Sequence, residues 1–189
     1  MKKIAVYCGA STGNDPQFEQ ATIDLAQWLV KHDLELVYGG GGVGLMGLLA
    51  QTVLDAGGVV HGIMPQNLYD RGAGHPGLTD FEVVPNMSIR KQRMLELSDG
   101  CIALPGGPGT LEEIAEAFSW ARIGDNENPC VFYNVDGFYN PIQQMFQDMV
   151  NKDFLTQTDF DKLGFIENLE DIYNFMDSYE PPMIRQYNK

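Results

Sequence analysis

Three observations in the sequence predict an α/β fold: a single doubly wound, Rossmann-like domain over residues 1–189 with a mostly parallel sheet. Short β-branched or aromatic runs alternate with longer stretches of helical period. The strand-like runs are apolar throughout, as strands covered on both faces must be. Two glycine-rich turns lead directly from a strand into a helix. Repeated strand–helix–strand units imply right-handed crossovers and a sheet with helices on both faces.

Lys3–Cys8 reads as the first strand, and Asp15-Pro16 as an N-cap with proline at the first helical position, opening a helix to about His32. Leu34–Tyr38 is the second strand, followed by Gly39–Gly42 and a helix from about Val43 to Ala56. Val59–Met64 is a third strand, stopped by Pro65. A loop is expected through Thr79, then a strand at Phe81–Val84 and a helix from Met87 to about Ser98. Cys101–Leu104 is a strand and Thr110–Ile123 a helix. Val131–Val135, a helix at about Pro141–Val150, and a last short strand and helix near Phe165 and Leu169–Tyr179 complete the series. No repeat and no linker divides the chain.

Composition narrows the function. Twelve Lys+Arg against 26 Asp+Glu give a net charge of −14, a poor footprint for a nucleic acid. Arg90, Lys91 and Arg93 form one small basic spot in this acidic chain, which suits a small anion better. No apolar run approaches the roughly 20 residues that cross a membrane, and the start lacks a secretory h-region. The expected compartment is therefore the cytoplasm, with no membrane partner. Cys8, Cys101 and Cys130 form no CxxC and read as buried free thiols. His32, His61 and His75 lack metal-ligand spacing, so no metal site is expected.

In doubly wound folds ligands sit outside the carboxyl ends of the strands, where both glycine loops lie. The first loop, Gly39–Gly47, contains Gly42-x-Gly44-x-x-Gly47, formally a dinucleotide fingerprint. NAD would also need an acid at the tip of the next strand, where Met64-Pro65 stands. Close strand–helix packing and a backbone-lined pocket wall are the other readings. The second loop, Leu104-Pro105-Gly106-Gly107-Pro108-Gly109-Thr110, turns successive N–H groups toward one spot at a helix N-terminus. It lacks the lysine of a Walker A loop, so a monophosphate is expected rather than a hydrolysed triphosphate.

Glu113 has two readings. Thr110-x-x-Glu113 is a capping-box pattern, yet a carboxylate one turn from a bound phosphate could instead face the ligand's sugar. Arg90 is the second clue. Met87, Met94 and Leu97 make one helix face apolar, and Arg90 and Lys91 lie on that same face. Either they snorkel from the helix end, or they reach a pocket holding an anion or a carboxylate such as Glu113.

Pro105-Gly106-Gly107-x-Gly109-Thr110-x-x-Glu113, preceded by Met87-x-x-Arg90-Lys91, resembles the Lonely Guy (LOG) family of cytokinin riboside 5′-monophosphate phosphoribohydrolases. Supporting matches are Val6–Ser11, Val37–Gly41, Gly44–Gly47, His75–Gly77 and Asn134–Tyr139. The resemblance implies a homodimer that cleaves the N-glycosidic bond of a nucleoside 5′-monophosphate such as AMP, without metal or cofactor. It implies Arg90 and Glu113 as the catalytic pair, and a phosphate held by Gly107, Pro108, Gly109 and Thr110. Lys91, Leu111, Glu112 and Ser119 are implied to line the site. The chain departs from the family pattern at Gly72, Ser88, Ile89 and Pro108, positions that bear on the base end of the pocket. The competing expectation is a non-catalytic nucleotide or cofactor carrier of the same superfamily.

Overall fold

Local chemistry sets the first crossover. Asp15 accepts a hydrogen bond from the Gln17 amide, and Pro16 opens helix α1 (Pro16–Lys31), as expected of that dipeptide. The computed structural model, which describes residues 1–184, places seven strands in one sheet. They are β1 (Lys3–Tyr7), β2 (Glu35–Tyr38), β3 (Val60–Pro65), β4 (Asp80–Val84), β5 (Gly100–Ala103), β6 (Cys130–Tyr133) and β7 (Leu163–Ile166). Their order is β4-β3-β2-β1-β5-β6-β7, and every paired strand is parallel, where a mostly parallel sheet was expected.

Side chains alternate along each strand between two cores. Ile4, Val6, Leu36, Tyr38, Ile102 and Val131 face α1, α2 (Gly44–Asp55) and α8 (Leu169–Asp177). Ala5, Tyr7, Val37, Cys101, Ala103 and Phe132 face α4 (Met87–Leu97), α5 (Pro108–Ala121) and α6 (Asn140–Asn151). Both β5 and β6 are buried at every position, which is why their sequences read as unbroken apolar runs. All three cysteines are free and buried, and Cys101 sits in register with Cys130.

The structure adds two one-turn helices, α3 (Gln66–Tyr69) and α7 (Gln157–Phe160), and a 3₁₀ turn at Val135–Gly137. Each is too short to leave a periodic signature in sequence. One start differs from expectation: α5 opens at Pro108, two residues before Thr110. Proline's fixed φ favours the first helical position, so the N-cap falls on Gly107.

The chain builds outward from β1 through β2 and β3 to β4, then returns to lay β5 on the other side of β1. The switch point therefore lies between β1 and β5. There Leu104 N donates to Tyr7 O at 2.9 Å and Gly9 N to Pro105 O at 3.2 Å. The two loops that leave these strands are joined at their roots.

Candidate active site

Asn86 begins the site. Its side chain accepts from the Ile89 amide at 3.0 Å and starts α4, so that Arg90 and Lys91 come one turn later on the inner face. Both are buried, at 8% and 9% relative exposure, so neither snorkels into solvent. The Arg90 guanidinium donates to Glu113 Oε1 at 2.6 Å, and Glu113 is itself only 9% exposed. A second guanidinium nitrogen lies 3.4 Å from Met87 Sδ, while the buried Nε has no partner among the described residues.

This geometry removes the capping reading of Glu113. The α5 N-cap is Gly107 and makes no side-chain capping bond, so no capping box forms. Glu113 is instead a buried carboxylate facing one arginine. Burial raises its pKa above the ordinary carboxylate value, Arg90 pulls it back, Glu112 and Glu116 push it up, and Lys91 lowers it. A carboxylate whose pKa is raised by burial is a better proton acceptor, as a general base requires. Cys8, on the same strand end, offers no competing nucleophile, because burial and the Glu113 charge push its thiol far up.

Beside this pair, the Lys91 ammonium is held by Glu112 and by Glu116, the latter at 2.9 Å. Burial alone would lower the Lys91 pKa, but the two carboxylates outweigh it and raise the value. Lys91 and Arg90 thus clasp α4 to α5 through consecutive ion pairs.

The residues of the second glycine loop are arranged unequally. Gly106 is pressed between neighbours: a Cβ there would lie 2.7 Å from the Thr110 Cβ and 3.0 Å from the Gly9 amide. At Gly107 and Gly109 a Cβ would meet nothing within 4 Å, and neither has a left-handed backbone. Packing does not demand glycine at those two positions, whereas close approach of a ligand to the backbone would. The amides of Gly107, Gly109 and Thr110, at the α5 N-terminus, donate to no acceptor among the described residues. Pro108 is exposed at the rim. Leu111 donates its amide to Gly107 O at 3.2 Å and packs its side chain on the core, away from the loop's open face. Ser119 is exposed nearly two turns beyond Glu113 and makes no hydrogen bond to it or to Arg90.

The first glycine loop has another use. The Leu45 and Met46 amides at the α2 N-terminus are taken by Ser11 O and Gly9 O at 3.5 and 3.2 Å. Gly42 N bonds Ala73 O, and His75 N bonds Gly40 O, so the segment around Gly74 seals the loop. Donors already engaged in this way do not cradle a pyrophosphate, and the fingerprint here serves packing.

Tyr139 has a role that spacing does not reveal. Its hydroxyl donates to Leu104 O at 2.6 Å, and its amide donates to Asn134 Oδ1 at 2.7 Å. It therefore braces the root of the second glycine loop from the start of α6. Tyr139→Phe is expected to raise KM for a 5′-monophosphate several-fold, with a stability loss of about 1 kcal/mol. Steady-state kinetics beside urea melts separate the two effects, and an unchanged KM would remove the brace.

With this geometry in hand, the comparisons carry weight. A family model described as "Possible lysine decarboxylase" matches residues 46–176. A cytokinin riboside 5′-monophosphate phosphoribohydrolase of Arabidopsis thaliana is 37% identical over 180 residues, covering 95% of this chain and 84% of that protein. The chain belongs to the Lonely Guy family. A second LOG relative from Arabidopsis, of the same name, is 39% identical over 180 residues, covering 95% of this chain and 79% of its own. The molybdenum cofactor binding protein of Rippkaea orientalis superposes with a TM-score of 0.71 at 21% identity, covering 94% of this chain and 97% of that one. That likeness shows the fold the LOG chain shares.

Proposed function

We propose that this LOG protein hydrolyses the N-glycosidic bond of nucleoside 5′-monophosphates, cytokinin riboside 5′-monophosphates or AMP, giving free base and ribose 5-phosphate. The observation that carries the reading is the buried Arg90–Glu113 pair beside three unengaged amides at the α5 N-terminus. The names of the Arabidopsis relatives support the same chemistry.

In this mechanism the amides of Gly107, Gly109 and Thr110 hold the 5′-phosphate, assisted by the positive end of α5. The phosphate is a handle remote from the bond that breaks, and its binding energy fixes the ribose above Glu113. As the C1′–N bond breaks, its electron pair leaves with the base and C1′ gains oxocarbenium character. The Glu113 carboxylate stabilises that charge and takes a proton from the attacking water. The water oxygen bonds C1′, and the proton taken by Glu113 passes through solvent to the departing base nitrogen, which restores the carboxylate. Arg90 orients Glu113 and the ribose hydroxyls. Lys91 and Glu112 hold the α4–α5 wall, while Leu111 supports it from within and Ser119 lies at its outer end. A lysine Schiff base, which the family model's description brings to mind, is poorly served here: Lys91 is kept protonated by two carboxylates. The reading also takes the protein to act as a cytoplasmic homodimer with no cofactor.

The test is an assay with AMP and isopentenyladenosine monophosphate, beside the two nucleosides, separating free base from substrate. Base is expected from the monophosphates at least about 10²-fold faster than from the nucleosides, because the handle is lost without the phosphate. Calorimetric binding of monophosphates with no base released would replace the enzyme by a carrier.

A further inference from the structure

Gly39 is the one glycine of the first loop whose neighbours belong to the site. It follows Tyr38 at the end of β2, and its φ lies outside the left-handed region, so its backbone conformation suits any residue. The three heavy atoms nearest to a Cβ built there all belong to the Arg90 guanidinium: Nη2 in overlap, Cζ at 2.9 Å and Nε at 3.4 Å. The guanidinium lies in the space that a side chain at 39 would fill.

We infer that Gly39 is a positioning residue for Arg90, and that its bare Cα sets where the guanidinium meets Glu113. The loop has little room to recoil. Tyr38 Oη donates to Gly41 O at 3.2 Å, His75 N holds Gly40 O, and Gly40 packs where a Cβ would come within 2.9 Å of Phe81. An added methyl is therefore accommodated at the movable end of Arg90, breaking the 2.6 Å bond to Glu113 while leaving the sheet intact. The inference rests on the catalytic reading of the pair, but the contact it invokes is testable without turnover.

The charged and titratable groups around Glu113 are Arg90 and Lys91 from α4, Glu112 and Glu116 from its own helix, Tyr7 at the end of β1 and Cys8 just after it. Of these, Arg90 gives the largest opposition to the upward push of burial. Displacing it destabilises the carboxylate, so the Glu113 pKa rises and the acid limb of the rate profile moves to higher pH.

The experiment compares wild type, Gly39→Ala, Arg90→Ala and the double variant, by AMP and isopentenyladenosine monophosphate kinetics and by carbon-detected NMR titration of Glu113. Gly39→Ala is expected to lower kcat about 10²-fold with little change in KM, as a misplacement near 1 Å can do. Its Glu113 pKa should move toward that of Arg90→Ala, and the double variant should match Arg90→Ala alone. A Gly39→Ala protein with the wild-type pKa and kcat overturns the inference. So does an equal shift from the alanine in both Arg90 backgrounds, which makes position 39 a packing site. If Gly39→Ala does not fold, a double variant that does fold places the collision on Arg90, and one that does not overturns it. A wild type inactive on every monophosphate defeats the proposed function, and the NMR titrations still decide the role of Gly39.

Discussion

Glu113→Gln is expected to lower kcat about 10²- to 10⁴-fold, the range a positioned general base supplies. The amide keeps the size of the side chain and still offers an oxygen to Arg90, but it cannot take a proton from water or balance positive charge at C1′. Monophosphate affinity should stay within a few-fold of wild type, because in the proposed mechanism the phosphate is held by the amides at the α5 N-terminus and not by Glu113. Single-turnover base release beside calorimetry checks both halves, and near-normal turnover would leave Glu113 as a structural partner of Arg90 only. Stability should move the other way with pH. Glu113 has a raised pKa in the folded protein, so the native state binds its proton more tightly than the unfolded chain. Its contribution is fully present below the unfolded value near 4.5 and is lost as pH rises through the folded value. Glu113→Gln should therefore gain stability relative to wild type on going from pH 4 to pH 8, read from urea midpoints.

Gly44→Ala should be the most damaging single methyl in the chain. Gly44 has φ +61°, and a Cβ there would overlap the Ala10–Ser11 peptide, which is backbone and cannot rotate away. That peptide is part of the β1 loop, whose Gly9 and Ser11 carbonyls accept from the first amides of α2. The expected cost is on the order of 4 kcal/mol or more, from left-handed strain plus forced separation of α2 from the loop. Gly72→Ala is the control. Its φ of +73° is similar, but a Cβ there meets nothing within 4 Å, so only the conformational cost of about 1–2 kcal/mol remains. Equal losses in the two variants, measured by urea unfolding, would show that close packing at Gly44 carries no energy.

The sequence made the sheet legible because two-sided burial leaves unbroken apolar runs, as at Cys101–Leu104 and Val131–Tyr133. Arg90 was legible for the opposite reason, a charge on an otherwise apolar helical face, and the structure supplies its partner. The start of α5 was harder. Two local signals competed there, Thr110-x-x-Glu113 and the proline at 108, and the proline prevailed because its ring fixes φ before any cap forms. The roles inside Gly39–Gly44 were beyond sequence reasoning. Glycines written alike are told apart only by what each touches: Arg90 at 39, Phe81 at 40, the Ala10–Ser11 backbone at 44. Tyr139 carries no role that sequence spacing could reveal, since its partner Leu104 lies 35 residues away.

The join between β1 and β5 also orders events in time. β1 is the central strand, yet its β5 partner stands 96 residues further along, pairing Ile4 with Gly100 and Tyr7 with Ala103. A nascent chain cannot complete its centre until that distant segment has left the ribosome, and until then β1 presents one bare edge. The brace on the second glycine loop comes later still, with Tyr139. A chain synthesised only as far as α4 therefore includes Arg90 but neither Glu113 nor the second glycine loop. The Arg90–Glu113 pair can be completed only once the segment beyond β5 has been made, so the site and the central closure of the sheet depend on the same late stretch of chain.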